Sequence, residues 1–246
     1  MTDRGVPSTK AAAGRSGRRW AAAAALTLGL AFSGASEAGE RAWSPGGPGS
    51  FAEAEASPAA REVTTWVLET ADNQGLPFLV VDKINARVFA FDRQGQLLGA
   101  SPALLGLAPG DISPPGIGER PLADITPEER ITPAGRFLAS MGENLGGKNI
   151  LWIDYDSALS LHPVVTTRAA DRRLQRLATA AADDNRISYG CVNVPVKFYD
   201  EIVQPAFEGT TGVVYILPEH RSLGEVFFPA SGPGASVPGR GGSPSG

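Results

Sequence analysis

From Ala59 to Asn73 apolar side chains return at Val63, Trp66, Val67 and Ala71, the spacing of one helical face, and Gly75 stops the run. One amphipathic helix is predicted there. The pattern then changes to short apolar or alternating runs at Phe78 to Asp82, Arg87 to Asp92, Gly135 to Met141, Ile150 to Tyr155, Leu159 to Val164 and Val213 to Leu217, separated by stretches rich in Gly, Pro and Asn. These read as strands joined by turns, with Lys83 to Ala86 linking the first two into a hairpin. Two more helices are predicted in the second half. Arg168 to Ala182 sets Leu174, Leu177, Ala178 and Ala181 on one stripe, and a second helix opens near Pro195, carries Phe198, Tyr199, Ile202 and Val203, and ends at Pro205. The fold class predicted is mainly β, a β-rich α+β domain with a few peripheral helices.

The Pro- and Gly-rich segment Ala108 to Thr132 interrupts the strand series, and a loop of that length inside a domain reads either as a flap over a site or as a solvated insertion. The chain ends differ from its middle. Lys10, Arg15, Arg18 and Arg19 precede the apolar run Trp20 to Phe32, which is followed by small residues up to Ala38. This is the order of a signal peptide, and the run is short for a bilayer span. Residues 1–38 are therefore read as a signal for export to the periplasm or extracytoplasmic envelope, with cleavage after Ala38 preferred over retention as an anchor. Residues 39–76 are read as a linker and the N-terminal helix, 77–218 as the main folded domain, and 219–246 as a disordered C-terminal tail.

Removing residues 1–38 takes away five basic and two acidic residues and moves the formal charge from −4 to −7. A protein this acidic has no electrostatic reason to bind nucleic acid or an anionic lipid surface. Its size suits one core, and a monomer is expected.

Candidate chemistry centres on Cys191, the one cysteine in the chain, in Ser188-Tyr189-Gly190-Cys191-Val192-Asn193. An exported lone thiol has no internal disulfide partner and reads as reactive, and without a resolving cysteine a redox role is disfavoured. Reactivity needs thiolate, hence a base or a positive environment. A helix opening near Pro195 would put its positive end close to Cys191. Of the two histidines, His162 ends a predicted strand and is the better base, whereas His220 lies in a polar run and reads as surface. Gly190 permits a turn with positive φ, which serves either a tight loop or an array of N–H groups facing a developing oxyanion. The arginines Arg168, Arg172, Arg173, Arg176 and Arg186 lie between base and nucleophile and read either as a solvated helix face or, for one or two of them, as carboxylate ligands. No Cys/His cluster suggests a metal, and no cofactor is expected.

At these residues the chain resembles the L,D-transpeptidase family, whose YkuD-type catalytic domain carries a histidine, a spacer, and then Ser/Thr-His-Gly-Cys-hydrophobic-Asn/Arg. Here the matching residues are His162 and Ser188 to Asn193, with Thr132-Pro133-Ala134-Gly135-Arg136-Phe137 matching the family's Thr-Pro-x-Gly-x-Phe. The resemblance covers about Phe78 to Leu217. It implies an L,D-transpeptidase-like β-sandwich, Cys191 as nucleophile and His162 as base. It also implies an oxyanion hole from the N–H groups of Tyr189, Gly190 and Cys191, loop support from Ser188 and Asn193, and peptidoglycan stem peptides as substrates for cell-wall cross-linking or remodelling. Arg186 is the arginine chosen for substrate. A carboxypeptidase or a non-catalytic peptidoglycan-binding scaffold would use the same framework. Three departures stand out: Tyr189 where a second histidine is usual, Pro163 after the base, and 26 positions from His162 to Ser188.

Overall fold

The strand β1 (Phe78–Asp82) is buried along its whole length, with Leu79 and Val81 in one hydrophobic cluster and Phe78 and Val80 in another. A strand covered on both faces reads as an unbroken apolar run, as this one does. In the computed structural model, which describes residues 55–228, β1 sits inside an eight-stranded mixed sheet. The other members are β2 (Arg87–Phe91), β3 (Leu97–Pro102), β5 (Gly135–Glu143), β6 (Asn149–Asp154), β7 (Leu159–Pro163), β9 (Val192–Val194) and β10 (Thr211–Ile216), in the order β3-β2-β1-β10-β5-β6-β7-β9. β4 (Leu105–Gly106) and β8 (Arg186–Ser188) form a separate two-stranded pair. The structure is thus strand-rich with few helices. The expected signal peptide, the start of the expected linker and the residues beyond 228 lie outside the described residues.

The outer strands β3 and β9 are brought together by the segment that follows β3. Leu104 and Asn193 exchange N–H···O bonds of 2.8 and 2.9 Å, and Leu107 N–H donates to the Ser188 carbonyl at 3.0 Å. The curved sheet therefore encloses one cluster to which β1, β2 and β10 contribute from one side and β6, β7 and β9 from the other. The helix α3 (Val196–Phe198), a π-helical turn Tyr199–Val203 and the helix α4 (Gln204–Phe207) cover it with Phe198, Tyr199, Val203 and Phe207. Each large side chain so buried contributes about 1.5–3 kcal/mol. Pro205 was expected to end this helix. It lies instead in the first turn of α4, directly after the wider π turn, where the ring's missing N–H is accommodated.

The opposite face of β1, β2 and β10 is covered by α1 (Pro58–Thr70). Ser57 Oγ caps it by accepting Ala60 N–H at 3.1 Å, and the helix stops at Ala71 in the left-handed region. Trp66 packs edge-on against Tyr215 at 6.2 Å and beside Phe227 and Phe228. These last residues follow α5 (Leu223–Val226), which carries a Ser222/Glu225 capping box. Residues 219–228, read from sequence as part of a disordered tail, therefore belong to the folded domain, because Phe227 completes the cluster under α1.

The helix expected over Arg168 to Ala182 is broken into a 3-10 turn Ala169–Asp171, α2 (Arg173–Ala178) and a 3-10 turn Ala182–Asn185. Arg172 takes a left-handed conformation at φ 50°, Leu177 is buried and Leu174 is exposed, so the apolar stripe is not used as a unit. Arg176 holds the break by donating to the carbonyls of Asp171 and Asp184 at 2.8 and 2.6 Å.

Candidate active site

Residues two apart on a strand share a face, so β7 presents Ser160 and His162 together. The parallel register of β7 and β9 sets His162 opposite Asn193, and Cys191 lies just before β9 on the same side. The loop holding the thiol is pinned from inside. Ser188 Oγ donates to the Cys191 carbonyl at 2.6 Å and accepts Gly190 N–H at 3.1 Å. Gly190 has φ +131°, and a Cβ there would stand 2.8 Å from the Ile131 carbonyl oxygen, so both conformation and space require glycine. Thr132 Oγ1 donates to the Gly190 carbonyl at 2.6 Å while accepting Gly106 N–H at 2.9 Å.

Cys191 Sγ stands 3.4 Å from Ser160 Oγ and 3.5 Å from the Ala158 carbonyl, and the His162 imidazole acts on it electrostatically. Burial pushes the thiol pKa up. The hydrogen bond and charge of His162, with the hydroxyl and backbone N–H of Ser160, outweigh burial and hold the thiol below its ordinary value. Burial likewise pulls the His162 imidazole down, but the hydrogen bond and charge of Cys191 and the Pro163 carbonyl raise it above its ordinary value, against the charge of Arg173. Both shifts favour a thiolate–imidazolium pair. The positive surroundings come from His162 and not from a helix end as expected, since β9 intervenes and α3 begins only at Val196.

His162 Nδ1 lies 2.8 Å from the Pro163 carbonyl, which can only accept. Nδ1 therefore carries a proton, leaving Nε2 to exchange one with the thiol. The proline after the base thus leaves the histidine oriented, through its own carbonyl.

Of the other residues predicted for the site, Ser188 and Asn193 brace the loop, Asn193 through Nδ2 to the Cys191 carbonyl at 3.2 Å. Gly190 N–H is taken up by Ser188 Oγ, which removes it from the expected oxyanion array. Tyr189 lines the cleft beside Cys191, and the Arg130 guanidinium stacks on its ring, 4.0 Å from the centroid. Arg186 is directed elsewhere. It pairs with Glu219 and donates to the Lys83 carbonyl at 3.1 Å, within a buried ionic cluster in which Lys83 bonds to Asp111 at 2.9 Å. Asp111 in turn accepts the N–H groups of Glu219, His220 and Arg221.

That cluster anchors the base of the 108–132 loop, whose ends pair through Ala108 N–H and the Arg130 carbonyl at 3.1 Å. Three 3-10 turns shape the loop, and Ile117, Arg120, Ile125 and Ile131 wall the cleft that opens on Cys191. The sequence reading missed Ser160, Arg130 and the placement of Arg173, and quoted Thr132 only as part of the Thr-Pro-x-Gly-x-Phe match without the bond to the Gly190 carbonyl. Ser160 alone had a local signal, its two-residue spacing from His162.

Among the described residues no three His, Cys, Asp or Glu side chains converge as metal ligands. What the arrangement offers is a thiol whose deprotonation its neighbours favour, a ring that can donate and accept a proton, and a cleft of about 90 Å³ walled on one side by a long loop.

No protein-family model and no curated protein matches the sequence. Solved structures similar to it include the L,D-transpeptidase LdtMt1 in complex with imipenem, at 15% identity over 57% of this chain and 58% of that one, with a TM-score of 0.36. The catalytic domain of an E. faecium L,D-transpeptidase is similar at 17% identity over 57% of this chain and 95% of that one, TM-score 0.31. The Ldtfm–avibactam carbamoyl enzyme is similar at 16% identity over 58% of this chain and 49% of that one, TM-score 0.34.

Proposed function

We propose that this protein is a peptidoglycan L,D-transpeptidase in which Cys191 is the nucleophile and His162 its proton carrier. The observation that carries the reading is the placement of His162 on β7 beside the thiol loop that enters β9, where each group shifts the other, the thiol below and the imidazole above their ordinary values. The thiolate attacks the carbonyl carbon joining diaminopimelate to the terminal D-alanine of a tetrapeptide stem. The tetrahedral oxyanion draws on the backbone N–H groups of Tyr189 and Cys191, since that of Gly190 is spent on Ser188. His162 Nε2–H protonates the amide nitrogen, the C–N bond breaks, D-alanine leaves and a thioester remains. The amine of a second stem then attacks the thioester and loses a proton to Nε2, and Cys191 departs as thiolate, restoring the pair. Water in place of the amine gives an L,D-carboxypeptidase. The reading includes export to the cell envelope, where stem peptides reside, and a monomeric enzyme.

One feature favours a second reading, a non-catalytic envelope scaffold of the same framework: Tyr189 stands where the family has an imidazole, and its ring is engaged by Arg130. Intact-mass spectrometry after incubation with a carbapenem separates the two. The expected result is one covalent adduct on wild type, none on Cys191→Ala and slow formation on His162→Ala, followed by release of D-alanine and cross-linked product from a tetrapeptide stem. No adduct on reduced, accessible Cys191 supports the scaffold, and tripeptide without cross-link supports the carboxypeptidase.

A further inference from the structure

A chain of hydrogen bonds runs from the start of α2 into the thiol site. Arg173 Nε donates to Asp171 Oδ2 at 3.1 Å, and Arg173 Nη1 donates to Asn193 Oδ1 at 2.8 Å. Asn193 Nδ2 then stands 3.2 Å from the Cys191 carbonyl and 3.4 Å from His162 Nε2. A guanidinium has no acceptor, so it can only draw the oxygen end of an amide. The Cys191 carbonyl can only accept, so Arg173 on the oxygen and that carbonyl on the nitrogen together set which end of Asn193 faces the imidazole. As held, Nδ2–H points at Nε2 and favours that nitrogen without a proton. A reversed amide would offer Oδ1 and favour the protonated ring.

Acyl transfer needs the ring in both states, one to give a proton to the departing amine and one to take a proton from the incoming amine. The thiolate beside His162 pulls only towards the cation. We infer that Arg173 is a positioning residue of this site, acting through Asn193 to keep His162 a reversible proton carrier beside the Cys191 thiolate. The inference rests on the acyl-transfer reading above. The charged groups that face His162 among the described residues are Cys191, from the loop before β9, and Arg173, from α2, the latter paired with Asp171.

The test is a proton NMR titration of the two histidine rings in wild type, Arg173→Met, Asn193→Ala and the double variant, with His220, exposed in its loop, as internal reference. The expected result is an upward shift of the His162 midpoint in Arg173→Met, a much smaller shift when the same change is made in Asn193→Ala, and turnover reduced about tenfold in Arg173→Met. Arg173→Ala, which likewise removes the donor to Asn193 Oδ1, should shift the midpoint upward as well and covers the case in which Arg173→Met does not fold. An unmoved midpoint in the folded variants overturns the inference, as does a shift of equal size in both Asn193 backgrounds, which would reduce Arg173 to a distant charge. The titration needs no peptidoglycan. An unmoved midpoint in an enzyme that still cross-links defeats the role of Arg173 alone, whereas a shifted midpoint in a protein that never cross-links defeats the transpeptidase reading alone.

Discussion

Ser160 Oγ stands 3.4 Å from Cys191 Sγ, two residues before the histidine on the same strand, so one strand supplies both groups that lower the thiol. A hydroxyl donating to a thiolate stabilises it by about 1 kcal/mol. Ser160→Ala is expected to slow iodoacetamide alkylation of Cys191 at pH 7 about fivefold. Stopped alkylation followed by mass spectrometry measures the rate, and an unchanged rate would mean that the hydroxyl is only filling space.

The same pair sets a pH dependence. Because the Cys191 pKa is lowered and the His162 pKa raised, thiolate should persist to lower pH in wild type than in His162→Ala, where burial pushes the thiol up and only Ser160 opposes it. Alkylation rate against pH should therefore begin its rise at lower pH in wild type and shift upward in His162→Ala. Coincident profiles for the two proteins would remove the imidazole from the account.

Gly190→Ala tests the loop without touching a reacting group. The left-handed backbone and the 2.8 Å approach to the Ile131 carbonyl oxygen should cost about 1–3 kcal/mol. Chemical denaturation should show the loss, and alkylation should fall with it because the Ser188 and Thr132 bonds that fix the thiol loop are disturbed. A variant of full stability and reactivity would contradict the geometry.

Lys83 provides a stability signal remote from the thiol. Burial lowers its pKa to about 8, against the raising influence of Asp111. Between about 8 and the unfolded value of 10.5 the unfolded chain binds more protons, so stability rises with pH across that window and is lost as pH falls through about 8. The stability of wild type relative to Lys83→Met should grow between pH 8 and 10, by up to about 3 kcal/mol over the full window. Urea denaturation at the two pH values checks this, and a constant difference would assign the titration to another group.

How far the sequence carried these conclusions depends on what holds each element. β1, β2, β5, β6, β7 and β10 carry their own apolar pattern and lie within about two residues of their predicted ranges. β8 and β9 have three residues each and exist through partners distant in sequence, Leu105 and Gly106 for one and β7 for the other, so no local pattern could announce them. β3 alternates buried and half-buried positions, yet Gly99 and Pro102 disguise it as a turn. The pairing of Cys191 with His162 was readable because one thiol and two imidazoles leave few combinations. The placement of Arg173 was not, because it depends on the break at Arg172, which tertiary bonds from Arg176 impose on a stretch of good helical pattern. Arg186 was misdirected for the same reason: its partner Glu219 lies in a segment that the sequence reading assigned to the tail.

The seam between Leu104 and Asn193 makes the thiol's reactivity a property of the finished fold. Residues 104, 132, 160, 162, 173 and 188 must all have arrived before position 191 differs from any other cysteine. A partly unfolded chain carries an ordinary, sluggish sulfhydryl. The labelling rate of this single cysteine is thus a built-in gauge of folding, readable on the protein without any substrate.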